Sequence, residues 1–247
     1  MRPGAGDFMT GKVAIITGAA QWIGAALTTA YRARGWAVVA SDRTIKPSED
    51  ADILIVEGDP TDPETAARIV RDALGRFGRL DTLVNTAGGF ISKPFTDYTA
   101  ADYATAVGVN LTGFFWLTQR AIAEMAARFG GHVVNVSAAA TPDFGGPAVL
   151  VALTKGGLAA ATRSLAIEHA ALGIRVNAVS PGVIQTPMHV PGSYEGLGDR
   201  LPPLGRMGQV SDVVDGVLFL ESSPYITGEI LHIDGGQIAG HCGPPSS

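Results

Sequence analysis

Short apolar runs alternate with longer amphipathic stretches along the whole chain. The runs are rich in Val, Ile, Ala and Leu, which is typical of strands buried on both faces of a sheet. They predict strands at 12–17, 36–40, 53–56, 80–84, 132–136, 174–179 and 229–233. The stretches between them predict helices at 23–34, 63–77, 101–129, 149–172 and 210–220.

Strands that alternate with helices of about ten or more residues indicate βαβ units and a parallel sheet. Because βαβ crossovers are right-handed, the sequence predicts an α/β fold with a doubly wound, seven-stranded parallel sheet and helices on both faces. No linker or second core is evident, so residues 1–247 are expected to form a single domain with flexible tails at 1–9 and 239–247. Residues 187–206 are rich in Gly and Pro and predict a long loop, either functional or simply exposed.

Composition and charge exclude several classes of protein. The chain is 46% hydrophobic with a net charge of −5, and its 18 basic against 23 acidic residues show no basic excess for nucleic acid. It has no apolar run long enough to span a membrane, and its start lacks the apolar segment of a secretory signal. Cys242 is the single cysteine, so no internal disulfide is expected. A cytoplasmic protein is therefore predicted.

Histidines and carboxylates form no site that is evident from their spacing. No group of His, Asp and Glu has the spacing of metal ligands, so no metal is predicted. His132 begins a predicted strand and is expected at the surface or at a sheet edge. His189 lies on the long loop, where it either faces water or reaches a closed active site as a general acid.

The first junction between a strand and a helix is rich in small residues. It contains Gly18, Gln21, Trp22, Ile23 and Gly24, in a chain with 32 glycines. A glycine-containing turn that opens onto a helix N-terminus is where a dinucleotide places its pyrophosphate, because backbone amides and the helix dipole stabilise negative charge there. The junction therefore predicts a dinucleotide-binding site.

A carboxylate stands at the end of the second predicted strand. Asp42 lies 18 residues after Gly24, where a carboxylate accepts hydrogen bonds from both adenosine ribose hydroxyls and repels a 2′-phosphate. This position favours NAD over NADP. Arg43 beside it is able to pair with a 2′-phosphate, which weakens the preference. The alternative is an aspartate that only caps a turn.

At these positions the chain resembles the short-chain dehydrogenase/reductase family, over essentially residues 10–238. The other residues that carry the resemblance are Asp59, Pro60, Asn85, Ala87, Gly88, Asn110, Lys155, Pro181, Gly182, Ile184, Thr186 and the final Asp234-Gly235-Gly236. The resemblance implies a Rossmann-fold oxidoreductase that uses NAD, or less favourably NADP, on a small hydroxyl or carbonyl compound. It also implies that Lys155 holds the nicotinamide ribose, that Asn110 organises a water, and that loop 187–206 covers the substrate.

Two substitutions stand where the family places its proton chemistry. Val151 occupies the position of the tyrosine that exchanges a proton with the substrate, and a valine has no proton to exchange. Ala138 occupies the position of the serine that binds the substrate carbonyl. The adjacent Ser137 would replace that serine only if a bulge re-aimed it, because successive residues of a strand face opposite sides.

Trp22 is a third departure from the family pattern. The family has glycine there, which lets the backbone approach the pyrophosphate closely. An indole at this position either turns outward and weakens binding, or fills the phosphate site and displaces the dinucleotide. The sequence leaves both arrangements open.

These departures leave two functions open. One is an NAD(P)-dependent oxidoreductase with an atypical or impaired active site, in which water, Thr86, Ser137 or a loop residue supplies the proton. The other is a catalytically inactive, repurposed or engineered protein of the same fold that binds a ligand or performs non-redox chemistry.

The predicted helices at 101–129 and 149–172 carry more apolar residues than one sheet face needs. In the family these helices pair across a two-fold axis, which implies a homodimer or homotetramer. The alternative is that the chain's own loops cover them. A small molecule is the other expected partner, with no nucleic acid and no membrane.

Overall fold

The computed structural model describes residues 11–128, 130–139, 148–186 and 201–240. Within these ranges the strands are β1 (Val13–Thr17), β2 (Ala37–Asp42), β3 (Ile53–Glu57), β4 (Thr82–Asn85), β5 (Gly131–Val136), β6 (Ile174–Pro181) and β7 (Ile230–Ile233). The helices are α1 (Trp22–Ala33), α2 (Pro63–Phe77), α3 (Ala100–Val107), α4 (Gly113–Ala126), α5 (Val149–His169) and α6 (Val210–Ser222). The predicted alternation of strands and helices is confirmed.

All seven strands are parallel and lie in the order β3-β2-β1-β4-β5-β6-β7. The chain steps outward from β1 to β3 and then returns, so that β4 pairs with the other side of β1. The connections after β1 and after β4 therefore leave in opposite directions. Such a switch point opens a crevice at the carboxyl ends of the strands, which is where open α/β sheets bind ligands.

Each face of the sheet has its own hydrophobic core. Helices α2, α4 and α5 pack on one face, and helices α1 and α6 pack on the other. All five residues of β1 are buried, as expected for a central strand covered on both sides. The doubly wound architecture thus follows directly from continuous apolar strands, which require helices on both faces.

The long helix predicted at 101–129 is interrupted. Helix α3 ends at Val107, a π-helical turn occupies Gly108–Thr112, and α4 begins at Gly113. The amide of Gly113 donates to the carbonyl oxygen of Gly108, five residues earlier. This wider turn, which often occurs at functional sites, buries the Asn110 side chain at 1% exposure. Apolar spacing did not reveal the turn, since the sequence around it is helical on both sides.

The expectation that His132 lies at the surface or at an edge is wrong. Its side chain is buried in the interior strand β5 and meets the carboxylate of Glu221 on α6, 3.0 Å from its Nδ1. The same carboxylate oxygen accepts hydrogen bonds from the Tyr31 and Thr82 hydroxyls, each at 3.0 Å. One buried carboxylate therefore joins α1, α6, β4 and β5, a contact between residues distant in the chain.

The neighbours of His132 identify its protonation state. The Asn177 amide nitrogen lies 3.1 Å from Nε2 and also donates to the Ile226 carbonyl, while its amide oxygen accepts from the Glu229 amide. Asn177 thus presents a donor to Nε2, which must be unprotonated, and Nδ1 carries the hydrogen donated to Glu221. Burial lowers the pKa of His132 in spite of its hydrogen bond with Glu221.

We predict that this neutral histidine makes the fold sensitive to mild acid. Since the folded pKa is lowered, the unfolded chain binds a proton below about pH 6.5 that the folded chain resists. The free energy of unfolding should fall by up to about 1.4 kcal/mol per pH unit below that point. Burial would raise the pKa of Glu221, but hydrogen bonds from His132, Thr82 and Tyr31 lower it. Its titration therefore lies below this window.

Urea unfolding between pH 5 and pH 8 measures the effect. The free energy of unfolding is followed as a function of pH. His132→Gln should remove the part of this pH dependence that is due to one proton, whereas His232→Gln, at an exposed position of β7, should leave the dependence unchanged. An unchanged slope in His132→Gln would show that the acid sensitivity arises elsewhere.

Candidate functional site

A cavity of about 130 Å³ lies at the switch point of the sheet, beside the carboxyl ends of β1, β2 and β4. Its walls are formed by Gly18, Gln21, Trp22, Ser41, Asp42, Arg43, Pro60, Thr86, Ala87, Gly88 and Val109. Eight of these residues were predicted to bind the dinucleotide, so the structure brings about half of the predicted site together in one cavity wall. The sequence interpretation missed Ser41 and Val109 and considered Thr86 only as a proton donor.

The start of α1 is held tightly against the end of β1. Gly18 has φ +64°, and a Cβ there would lie 3.0 Å from the Ala87 amide nitrogen. At Gly24 a Cβ would collide with the Gly18 carbonyl group. Both glycines are thus required by close backbone approach. The first residue of α1 lines the cavity, and a helix N-terminus favours an anion.

Trp22 lies between these two glycines and lines the cavity. It is the first residue of α1 and, among the residues that the structure describes, the one non-glycine with positive φ, at +50°. This left-handed conformation costs about 1–2 kcal/mol for a residue with a Cβ. The backbone therefore has a conformation that favours glycine, at a residue that contributes to the cavity wall.

The other end of the cavity presents acceptors suited to a ribose. The Asp42 carboxylate accepts from the amides of Ala20, at 3.1 Å, and Arg43, at 2.7 Å. An ionised carboxylate has about four acceptor positions, so two remain for ribose hydroxyls. Ser41 also contributes to the cavity wall, and its buried hydroxyl has no hydrogen-bond partner within the described ranges. These groups fit the adenosine end of a dinucleotide.

The cavity is small for a whole dinucleotide. Ligand pockets commonly measure about 300–1,000 Å³, more than twice the volume enclosed here. The residues therefore fit the adenosine part, whereas the phosphate part requires that the Trp22 indole move or that the phosphates lie outside the enclosed volume.

Lys155 on α5 lies against the turn that follows β4. Its ammonium donates to the Val136 carbonyl at 2.9 Å, and a Cβ built on Gly88 would lie 2.8 Å from its Nζ. Burial lowers the pKa of Lys155 to about 8. Asn110 is adjacent, with its amide oxygen accepting from the Gly89 amide at 2.8 Å and its amide nitrogen donating to Thr154 at 3.0 Å.

Val151 and Ala138, where the resemblance predicts the family's tyrosine and serine, lie on or just after the elements that hold this lysine. Val151 precedes Lys155 by one helical turn on α5 and is buried at 4% exposure. Ala138 is partly buried after β5, and the adjacent Ser137 hydroxyl donates to the Lys155 backbone carbonyl at 3.0 Å. Ser137 is therefore near the reaction position, but its hydrogen is committed to the main chain.

Several predicted dinucleotide residues lie outside the cavity wall. They are Ile23, Gly24, Asp59, Asn85, Lys155, Pro181, Gly182, Ile184 and Thr186. Asn85 is buried and donates to Thr118 and Asn135, which supports the sheet, and Asp59 accepts from the Thr61 amide in an exposed turn. Their roles as cofactor ligands stay predictions. His189 and residues 187–200 of the predicted loop lie outside the described residues.

The part of the chain that the structure describes contains neither a metal-binding cluster nor a membrane-spanning helix. No group of three or more His, Cys, Asp or Glu side chains there is arranged to hold a metal ion. No helix there is both long and apolar enough to cross a bilayer.

Comparison with known proteins places relatives on almost the whole chain. Residues 18–237 match a family model described as Enoyl-(Acyl carrier protein) reductase. A 3-oxoacyl-[acyl-carrier-protein] reductase of Thermotoga maritima is 35% identical, over 93% of this chain and 99% of the relative. The L-xylulose reductase of Mus musculus is 35% identical, over 94% of this chain and 98% of the relative.

Solved structures show the same architecture. ElxO with NADP bound has a TM-score of 0.84 and 28% identity, covering 94% of this chain and 100% of that one. A 3-ketoacyl-(acyl-carrier-protein) reductase from Brucella melitensis, in complex with NADH, has a TM-score of 0.81 and 27% identity, covering 92% and 98%. One of these neighbours holds the phosphorylated dinucleotide and the other the unphosphorylated one.

We predict that glycine is more stable than alanine at position 22. Both Trp22→Gly and Trp22→Ala remove the indole, but only alanine keeps a Cβ that disfavours a φ of +50°. Within ordinary helices alanine is favoured over glycine by about 1 kcal/mol. Here we expect the reverse order, by about 1 kcal/mol in urea unfolding. Ala25→Gly, further along α1, should show the ordinary order. Equal or greater stability of Trp22→Ala would contradict a strained backbone at this position.

Proposed function

Because the chain belongs to the short-chain dehydrogenase/reductase family, we propose that it is an NAD(P)-dependent oxidoreductase with an atypical active site. Its reaction interconverts a small hydroxyl compound and the corresponding carbonyl compound. The observation that carries the proposal is the cavity at the switch point, where the Asp42 carboxylate accepts from the Ala20 amide just before α1. Relatives that reduce carbonyl groups, and that match this chain over nearly its full length, support the proposal. A cytoplasmic location belongs to the same proposal.

NAD is the proposed cofactor. The free acceptor positions of Asp42 suit two ribose hydroxyls, and its negative charge opposes a 2′-phosphate. Arg43 is the counter-argument, because its exposed side chain lines the same cavity and would attract a phosphate. Of the two side chains, the Asp42 carboxylate is the one joined to the first junction. Asp42 ends β2, and its carboxylate already accepts from the Ala20 amide of that junction.

The chain's own residues would perform binding and orientation in this reaction. Asp42 and Ser41 hold the adenosine end, and the first amides of α1 face the phosphates. Lys155 and Asn110 lie at the opposite end of the turn after β4, where a nicotinamide ribose would be held. A bound reduced nicotinamide supplies the hydride. Among the described residues near this end, Val151 and Ala138 offer no group that exchanges a proton.

A second candidate function rests on the same substitutions. A protein that binds a ligand, or performs non-redox chemistry, in this pocket has no need of the missing tyrosine and serine. Trp22 favours this candidate, because its indole reduces the space for a pyrophosphate. The two candidates differ in one measurable property, which is binding of the dinucleotide.

We also propose a homodimer or homotetramer. On the outer faces of α3, α4 and α5, Tyr103, Phe115 and Leu153 are each more than half exposed. Large apolar side chains grouped in this way on a soluble surface mark interfaces. Leu117 and Leu158 are instead buried in the chain itself, so only part of the apolar excess remains for a partner copy. A two-fold arrangement would bury the exposed part.

We predict saturable binding of NADH with a dissociation constant below 1 mM. Calorimetry and nicotinamide fluorescence measure it, with NADPH expected to bind at least about tenfold more weakly. Asp42→Ala should weaken NADH binding about tenfold, the equivalent of about 1.4 kcal/mol, because charged hydrogen bonds to the ribose are lost. Asp97→Asn, at an exposed position before α3, is the matched control. No saturable binding below 1 mM would exclude the oxidoreductase and favour the second candidate.

We predict that restoring the proton donors raises turnover. The double variant Ala138→Ser/Val151→Tyr should increase NADH-dependent reduction by at least about 10²-fold, as a positioned general acid contributes 10²–10⁴-fold. The assay uses a panel of small ketones, including L-xylulose and an acetoacetyl thioester. Ala138→Ser/Val151→Phe has similar bulk without the phenolic hydroxyl and should show no such gain. No gain from the tyrosine variant, with its fold intact, would mean that the pocket serves another reaction.

A further inference from the structure

Lys155 carries a buried amino group without an acidic partner in the described ranges. The residue is 7% exposed, and the one bond described for Nζ is its donation to the Val136 carbonyl. An ammonium has three N–H donors, so the protein leaves part of its donor capacity for another group. Burying an ammonium without a counter-ion is costly, which makes its position informative.

The turn after β4 gives this amino group a path to the cavity. A Cβ built on Gly88 would lie 2.8 Å from Nζ and 3.2 Å from the Asn110 amide oxygen. Gly88 lines the cavity and is exposed, and its lack of a side chain leaves nothing of its own between the cavity and Nζ. The buried amine therefore lies directly behind Gly88, at the edge of the cavity.

Every described element that packs against the amine presents an uncharged group. Strand β5 contributes the Val136 carbonyl, the π-helical turn contributes the Asn110 amide, and the turn after β4 contributes Gly88. Its own helix contributes Val151 and Thr154. No charged side chain among the described residues affects its pKa, which burial alone lowers to about 8. A group that titrates near neutral pH is well suited to donate and accept a proton.

Resting on the oxidoreductase function proposed above, we propose that Lys155 itself exchanges the proton with the substrate oxygen and is a catalytic residue. Val151 stands one turn earlier on the same helix face, so the phenol that would otherwise lie beside the amine is absent. In this proposal a substrate oxygen takes the place beside Nζ that the phenol would occupy. The lysine then performs the proton exchange that a tyrosine at position 151 would perform.

The step balances without a further reactant beyond the reduced dinucleotide. In reduction, the carbonyl carbon gains a hydride and the C=O π electron pair moves to oxygen. An N–H bond of the Lys155 ammonium breaks, its proton forms the new O–H bond, and its electron pair stays on Nζ. Water returns a proton to the neutral amine. Oxidation of the alcohol reverses each movement.

The first test measures the amine directly, without turnover. Protein labelled with ¹³C at lysine Cε is titrated by NMR, and Lys155→Met identifies its signal beside those of Lys12, Lys46 and Lys93. The Lys155 signal should titrate near pH 8 in the free protein. It should shift further when NADH binds, as expected for an amine that borders the nicotinamide end.

The second test separates proton exchange from positioning. Carbonyl reduction should lose kcat as the pH rises through about 8, and alcohol oxidation should lose it as the pH falls through the same value. Lys155→Met should lower kcat at least about 10²-fold. Lys155→Arg keeps the positive charge but does not release a proton near neutral pH, so it should be as impaired as Lys155→Met. NADH affinity, measured by calorimetry, reports the positioning role separately.

The outcomes distinguish the two proposals. Turnover by the wild-type chain without a pH step near 8, a Lys155 signal that does not titrate there, or full activity of Lys155→Arg would overturn proton exchange by the lysine and leave the oxidoreductase standing. If the chain does not bind NADH, or if it turns over none of the ketones in the panel, both the oxidoreductase function and proton exchange by Lys155 are overturned. If Lys155→Met fails to fold, the wild-type pH profiles and the Lys155→Arg variant still decide between these results.

Discussion

The backbone contact between Gly18 and Gly24 is the constraint on which the site depends. A Cβ at Gly24 would overlap the Gly18 carbonyl, so α1 starts at one fixed place beside the ends of β1 and β4. The cavity, the amides that face it and the position of Trp22 all follow from this contact. The first residue of α1 has a left-handed backbone even with an indole attached.

Two residues to which the family resemblance gives a positioning role, Asn110 and Lys155, are both buried beside Gly88. The π-helical turn still buries Asn110, and Lys155 is still held under Gly88. A buried, unpaired amine is unfavourable for stability, so its presence indicates a chemical use more strongly than an exposed lysine would. In the proposed oxidoreductase, the residues at 138 and 151 change which group is able to move a proton.

The buried contacts that join the helices to the sheet and the residues of the candidate site lie in different parts of the molecule. The Glu221 carboxylate joins α1 and α6 to β4 and β5 through Tyr31, Thr82 and His132. None of these residues lines the cavity. The cavity end can therefore carry a strained tryptophan and an unpartnered hydroxyl, because the helices around it are anchored elsewhere.

The sequence alone predicted the order of strands and helices and most of the residues in the cavity wall, because continuous apolar runs and glycine-rich turns are local signals. Tertiary structure decided the rest. His132 is buried because Glu221, 89 residues away, accepts its hydrogen bond, and the turn at Asn110 widens within a helical pattern that continues through it. Ser41 borders the ligand position only because β2 pairs with β1. Such features depend on partners distant in the chain, which local spacing does not encode.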